Sequence, residues 1–153
     1  MAEFSVTGYA RPDLSTVESL MQSNDYQVWI NGEEQFVYKS IKRTNHGTNN
    51  INSMSFLNFG IRDATTLKVK PKKTVKSFEI RPYSANVAGV FDSKNNMISF
   101  NIDKPQKLVV VVNNSYDPVL IISADPPHTP PAPDSVEYYF GPGIRVEAAL
   151  RPR

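Results

Sequence analysis

The side chains that could carry acid–base or metal chemistry are scattered along this 153-residue sequence rather than grouped. Neither of the two histidines, His46 and His128, has another His, Asp or Glu at the spacing that brings metal ligands together on a helix or hairpin. We therefore interpret both as solvated loop histidines, and the sequence predicts no metal site.

The carboxylates stand mostly where the chain is expected to turn. Six aspartates share this setting: Asp63, Asp92, Asp103, Asp117, Asp125 and Asp134. An aspartate in a turn ordinarily accepts hydrogen bonds from the nearby backbone, and this is the role that we predict for each. Glycoside hydrolysis would require two carboxyl groups at a defined separation across a cleft. Sequence spacing does not decide that point, so a small hydrolase remains an alternative.

Other catalytic signatures are missing from the sequence. No Gly-x-Ser-x-Gly turn exists to present a nucleophilic serine. The stretch Gly141-Pro142-Gly143 is too short for a phosphate-binding loop. Cysteine is absent, which excludes disulfides and thiolate metal sites. We predict that the chain is not an enzyme and that it uses no cofactor.

Aromatic residues offer a different kind of site, a platform for sugar rings. Four candidates are present: Trp29, Tyr26, Tyr38 and Tyr83. Trp29 is the only tryptophan and lies in an apolar run between Val28 and Ile30. In an extended strand, Trp29 points to one side while Val28 and Ile30 point to the other. Either side can face the core, so the sequence leaves open whether Trp29 fills the interior or is available to a ligand.

Charge is nearly balanced, with a formal net charge of +2. Five lysines nevertheless cluster around one bend: Lys68, Lys70, Lys72, Lys73 and Lys76. We interpret them as a solvated strand end, because a nucleic-acid site would need aromatic platforms interleaved with the charge. No apolar run has the roughly 20 residues of a membrane helix, and the first residues lack the regions of a signal peptide. We therefore expect neither a nucleic-acid nor a membrane partner.

The chain is organised around residues 74–122, which alternate apolar and polar side chains as half-buried strands do. Phe78 and Ile80 share one side of a strand, and Ile98, Phe100 and Ile102 share one side of another. The run 108–112 is apolar on both sides, which indicates a central strand covered on both faces or one that faces an added partner.

Further strands are predicted before and after this core, at 4–9, 26–30, 34–41, 54–59, 66–69 and 118–123. Asn31-Gly32 predicts a tight hairpin. Residues 12–21 have the helical spacing of apolar residues, which predicts a short helix. The polar residues 42–53 predict a long surface loop. The sequence therefore predicts an all-β fold: an antiparallel β-sandwich, immunoglobulin-like or jelly-roll-like, of about 8–10 strands with an extended C-terminal tail.

The domain organisation is predicted from a change in composition near residue 125. Residues 1–125 form the sandwich, and 126–134 form a linker whose prolines favour an extended polyproline conformation. Residues 135–153 contain an apolar strand, 135–146, and a tail that packs on the sandwich or is exchanged with another copy.

The order of these motifs resembles the N-terminal β-sandwich of glycoside hydrolase family 49, the dextranases and isopullulanases, and of related β-helical polysaccharide enzymes. The segments that carry the resemblance are Trp29 and residues 36–41, 78–84, 98–100, 105–110, 119–126 and 139–144. In that family the sandwich precedes a β-helix that holds the catalytic aspartates. The resemblance implies an accessory domain without its catalytic module, and secretion, although the chain carries no signal peptide.

The resemblance also implies that an apolar strand near the C-terminus is shared with the β-helix. The corresponding residues here are Val136, Tyr138, Tyr139, Phe140 and Ile144, and we predict that they face a partner or a second copy of the chain. The implied partners are a polysaccharide such as a glucan, or a β-helix catalytic module. A stand-alone protein–protein interaction or assembly domain is the alternative function.

Overall fold

The computed structural model describes residues 6–8, 22–43 and 51–139 of the chain. Eleven strands lie in this part: β1 Val6–Gly8, β2 Tyr26–Ile30, β3 Glu33–Gln35, β4 Tyr38–Arg43, β5 Ile51–Ile61, β6 Thr65–Pro71, β7 Phe78–Arg81, β8 Val90–Asp92, β9 Met97–Ile102, β10 Gln106–Val112 and β11 Ser115–Asp125. A single turn of 3₁₀ helix, Tyr83–Ala85, follows β7. No helix in the described ranges has the length and apolarity needed to cross a membrane.

The strands form two sheets, which confirms the predicted all-β sandwich. Sheet A has the order β1-β5-β11-β10-β7, and β4 pairs with β5 on the same edge as β1. Sheet B has the order β3-β2-β6-β9-β8. Pairing in both sheets is antiparallel except at one place, where β11 pairs with β5 in parallel. These two strands are far apart in sequence, so no tight hairpin forces them to run in opposite directions.

The core lies between the inner faces of the two sheets, and period-two alternation places its side chains. Along β6, buried and exposed residues alternate without a break. Phe59, Ile98 and Leu120 come from different strands and are fully buried together in one cluster. Burying such side chains contributes roughly 1.5–3 kcal/mol each, so this alternation is the main source of the sandwich's stability.

Strand β10 is central, as its apolar run predicts, because it lies between β11 and β7. Leu108 and Val110 point into the core. Val111 pairs with Glu79 on the opposite face of sheet A, yet it is only 1% exposed. Val109, on the same side as Val111, is half-buried, so the outer side of the run is covered only in part.

Two hairpins depend on residues that tolerate a left-handed backbone. Asn31 and Gly32 have φ of 49° and 86° and join β2 to β3, as predicted. Asn113 and Asn114 both have φ of 55° and join β10 to β11. Positive φ at both central positions gives the twist that two-residue hairpins require.

Three predicted elements have different bounds. The single strand predicted at 34–41 divides into β3 and β4, which belong to different sheets. The alternation fails at Phe36 and Val37, which are buried consecutively where the chain crosses between the sheets. The ends of the loop predicted at 42–53 extend the β4–β5 ladder instead, and residues 44–50 lie outside the described residues. Strand β8 lies between two predicted strands, in a stretch for which the sequence predicts no strand.

The predictions for the two ends of the chain can be compared with the structure only where residues are described. The edge strand predicted at 4–9 corresponds to β1, and the helix predicted at 12–21 lies outside the described residues. Strand β11 ends at Asp125, and residues 126–139 are solvent-exposed. Over its described part, 135–139, the predicted C-terminal strand is a turn and irregular chain, and its remainder lies outside the described residues.

Candidate functional site

Two of the aromatic candidates, Tyr26 and Trp29, lie on strand β2 and point to opposite faces of sheet B. Tyr26, Val28 and Ile30 point into the core, so Trp29 lies on the outer face of sheet B and is only partly buried. The Tyr26 hydroxyl donates a hydrogen bond to the Pro118 carbonyl at 2.7 Å, which links the two sheets at one end of the sandwich. The question that the sequence left open is therefore answered: the aliphatic neighbours of Trp29 fill the core.

The position of Tyr26 raises the pKa of its phenol. Burial, with a further contribution from the Asp25 carboxylate, raises the pKa of Tyr26 to about 12. An unfolded tyrosine has a pKa of ~10, so the neutral phenol stabilises the fold fully below pH ~10. That stability is lost as the pH rises from ~10 through about 12.

We expect a spectrophotometric titration of tyrosinate to show a step near pH 12 that is absent from Tyr26→Phe. The variant also lacks the hydrogen bond to Pro118, so its stability should depend less on pH above ~10. A titration curve with the same final step in both proteins would contradict the assignment to Tyr26.

Trp29 is the centre of a mixed aromatic and polar surface on sheet B. Glu34 on β3 and Lys68 on β6 lie directly beside it in register. Gln27 and Lys70 occupy the next outward-facing pair, and the Gln27 amide donates to the Glu34 carboxylate at 3.4 Å. We call these five residues the Trp29 face. It combines one indole ring with an amide, a carboxylate and two ammonium groups on three adjacent strands.

A cleft continues the Trp29 face toward one end of the sandwich. Gln27, Glu34 and Lys70 also line this first cleft, which has a volume of about 330 Å³. Asn24 and Lys72 contribute to its lining from the loops at the end of the sheets. A ligand extending from Trp29 would therefore meet a concave polar surface rather than a flat edge.

A second cleft, of about 560 Å³, opens around the same end. Tyr26 and Lys72 line both clefts. Val112 and Pro118 give the second cleft an apolar part, and Lys73 adds a further positive charge. The two clefts therefore share a boundary that carries lysine side chains.

Tyr38 lies away from both clefts, on the outer face of sheet A. Its ring stacks on Phe56 with the centroids 5.2 Å apart, and Phe36 packs edge-on against it at 4.8 Å. Tyr38 is buried by these contacts. The three residues predicted to bind carbohydrate, Trp29, Tyr26 and Tyr38, thus occupy three different places. Only Trp29 is on an outer face beside a cleft.

The sequence does not predict the exposed cluster around Arg81, which includes Tyr83, one of the four aromatic candidates. The Arg81 guanidinium donates to the Glu79 carboxylate at 2.9 and 3.1 Å. It also lies 5.3 Å from the Tyr83 ring centroid and 5.6 Å from that of Tyr116. These tyrosines are 65% and 58% exposed. The spacing Glu-x-Arg on a strand was the available signal, because it places both side chains on one face.

Hydrogen bonds within the Arg81 cluster hold its charges in place. The bond from Arg81, followed by one from Tyr83, lowers the pKa of the Glu79 carboxyl. The same bond to Glu79 raises the pKa of Arg81. The cluster is therefore an ordered ion pair between two solvent-facing tyrosines.

The residues predicted to face a partner are only partly described. Val136, Tyr138 and Tyr139 are exposed, while Phe140 and Ile144 lie outside the described residues. Tyr139 stacks on His128, with ring centroids 5.8 Å apart, and their polar atoms are hydrogen-bonded. His128 therefore contacts an aromatic ring within the C-terminal segment, and His46 lies outside the described residues.

The aspartates predicted to lie in turns do so only in part, because Asp117 and Asp125 lie within strand β11. The Asp92 carboxylate accepts hydrogen bonds from the amides of Lys94 and Asn95 in its own turn. The Asp117 carboxylate accepts one from the amide of Ser53. In the part of the chain that the structure describes, no group of three or more His, Asp or Glu side chains is arranged to hold a metal ion.

Comparison with known proteins bears on the fold. No protein-family model matches the sequence, and neither does any curated protein. Among solved structures, Dex49A from Penicillium minioluteum, a chain of glycoside hydrolase family 49, matches with a TM-score of 0.55 at 17% sequence identity. The match covers 80% of the present chain and 31% of Dex49A, so this chain spans less than a third of that protein. The sandwich thus has the fold of one part of a family 49 glycoside hydrolase chain.

Proposed function

We propose that this chain is a non-catalytic accessory β-sandwich of a polysaccharide-processing system, and that it binds a neutral glucan on the Trp29 face. The observation that carries the proposal is the orientation of Trp29, which lies outside the core between Glu34 and Lys68. The fold match to only 31% of a glycoside hydrolase chain supports the accessory part of the proposal.

The chemistry of the Trp29 face suits a sugar chain. The indole offers a rigid apolar surface of the kind that covers the C–H face of a pyranose ring, at a low entropy cost. The Gln27 amide, the Glu34 carboxylate and the lysine ammonium groups can donate to and accept from hydroxyl groups. Adjacent strands are ~4.8 Å apart, so these groups lie within reach of the sugar that stacks on Trp29.

A direct test compares the wild-type chain with Trp29→Ala in affinity electrophoresis and calorimetry against dextran and pullulan. We expect the variant to bind at least about tenfold more weakly, a loss of ~1.4 kcal/mol or more, because the stacking surface is removed. Trp29 faces outward, so its replacement should leave the fold intact, which thermal unfolding checks.

Tyr116→Ala is the matched control, since it removes an exposed aromatic ring from the other sheet. It should leave glucan binding unchanged. Equal glucan binding by wild type and Trp29→Ala would contradict the assignment to this face. Release of reducing sugar by the purified chain would contradict the non-catalytic role.

The Arg81 cluster favours a second candidate function, a protein–protein interaction module. Tyrosine and arginine are the residue types enriched at interface hot spots, and here two exposed tyrosines flank an arginine already fixed by Glu79. Partner binding that is lost in Tyr116→Ala but retained in Trp29→Ala would favour this function.

A further inference from the structure

The lysine loop, residues 70–77, leads from the end of β6 in sheet B to β7 in sheet A. Asn96 holds its first half from sheet B. The Asn96 amide nitrogen donates to the carbonyls of Pro71 at 3.1 Å and Lys73 at 2.9 Å, and its oxygen accepts from the Val75 amide at 2.9 Å. The Val75 side chain is buried in the core beneath the loop.

Asn113 holds the second half of the lysine loop from sheet A. Its side-chain oxygen accepts from the amides of Lys76 at 2.6 Å and Ser77 at 3.2 Å, and its nitrogen donates to the Thr74 carbonyl at 2.9 Å. One asparagine from each sheet therefore satisfies the backbone of the loop. The loop is ordered before any ligand arrives, so binding there requires little further loss of backbone entropy.

Within the described part of the chain, no ion pair includes a lysine of the lysine loop. The two ion pairs found among the described residues are Lys39–Asp25 and Arg81–Glu79. Lys72, Lys73 and Lys76 are exposed on the loop, and Lys70 is exposed at its start. The charges are concentrated on a short stretch, so they make a local positive potential that an anion would lower.

Three of these four lysines line the two clefts. Lys70 lines the first cleft, Lys73 lines the second, and Lys72 lines both. Val112 and Pro118 give the second cleft its apolar part.

The clefts also contain the carboxylates Glu34 and Asp25, but Asp25 is already paired with Lys39, so positive charge is in excess. A ligand that suits this end would combine a carbon skeleton with repeated negative charge, over a length that reaches both clefts.

We infer that this end of the sandwich is a binding site for an acidic polysaccharide, a chain of uronate sugars. The inference rests on the proposed role in polysaccharide processing, and it names a second ligand class for the module. Lysine ammonium groups are non-directional charges that suit hydrated carboxylates on a flexible chain. Among the described residues that line the clefts, Tyr26 is the only aromatic one, and it is buried. Trp29 lies beside the first cleft but is a single ring, so the succession of exposed rings on which bases stack is missing there.

The experiment measures binding of polygalacturonate to the full chain by calorimetry, at low and at physiological ionic strength. Lys72→Gln/Lys73→Gln should weaken binding at least tenfold, and added salt should weaken wild-type binding. Lys104→Gln/Lys107→Gln is the matched control, because it removes the same charge from exposed positions at the opposite end of the strands. It should bind like the wild type. Thermal unfolding should be unchanged in both variants, since no described contact of the four side chains is lost.

Two comparisons separate this site from the Trp29 face. Trp29→Ala should retain polygalacturonate binding, and Lys72→Gln/Lys73→Gln should retain dextran binding. Loss of dextran binding alone would count against the Trp29 face and leave the lysine site standing. The lysine site is overturned if carboxyl-reduced polygalacturonate binds as tightly as the acid form. It is also overturned if both lysine variants behave alike, or if single-stranded DNA binds as tightly as polygalacturonate.

Discussion

Replacing Phe59 with alanine is expected to lower the free energy of unfolding by about 3–5 kcal/mol. Phe59 is 0% exposed at the centre of the inter-sheet core. It lies on β5, where its neighbours in register are the small residues Gly8 and Ala124. Neither neighbour has a side chain that can move into the vacated space, so the cavity should persist and the full cost of lost packing should be observed.

Denaturant unfolding of Phe59→Ala and Phe56→Ala tests this expectation. Phe56 is on the same strand but faces the outside of sheet A, where it is partly buried against Tyr38. The same substitution there should cost less than half as much, because solvent can fill the space that the ring leaves. Equal losses at the two positions would show that the core does not depend on the inner face of β5 as described.

The period-two pattern predicted most of the strands because each strand has one face on the core. Along β6 and β9 every second residue is buried, and all of these buried residues except Thr65 are apolar. Burial of alternate side chains is a property of a single strand, so it can be read without knowing which strands are neighbours. Asn31-Gly32 was equally legible, since the positive φ of both residues is a local requirement of the hairpin.

Pairing between strands distant in sequence could not be predicted in the same way. The parallel contact of β5 with β11 depends on how the two sheets wrap around one core. The division of 34–41 into β3 and β4 depends on a crossing between sheets at Phe36 and Val37. Residues 34–41 read as one continuous strand, and the sequence does not show that their first half pairs with a strand of sheet B and their second half with a strand of sheet A.

The candidate sites show the same limit. Alternation predicted that Trp29 and Val28 point in opposite directions, but the inward direction was decided by the partners of β2 in the core. Lys70, Lys72 and Lys73 look like a solvated strand end in the sequence, because no sequence pattern indicates the two clefts that they line. The clefts form between segments that are far apart in the chain, and no spacing rule brings such segments together.

Asn113→Ala is expected to have the second-largest effect on stability. The loss should be about 3 kcal/mol, near the lower end of the summed contributions, because the Lys76 and Ser77 amides share one acceptor oxygen. The substitution removes three side-chain hydrogen bonds to the backbone of the lysine loop. Each contributes ~0.5–1.5 kcal/mol. It also places alanine at φ of 55°, where a residue with Cβ costs roughly 1–2 kcal/mol.

Two further variants separate these causes, with unfolding free energy as the measurement. Asn114 has the same φ of 55° in the same hairpin, and no side-chain hydrogen bond of the described residues involves it, so Asn114→Ala isolates the backbone cost. Glycine adopts the positive φ of position 113 without strain, so the stability lost in Asn113→Gly measures the hydrogen bonds alone. The two losses should add up to that of Asn113→Ala. If Asn113→Gly were as stable as the wild type, the asparagine would not hold the lysine loop, and the preorganisation on which the acidic-polysaccharide site depends would be lost with it.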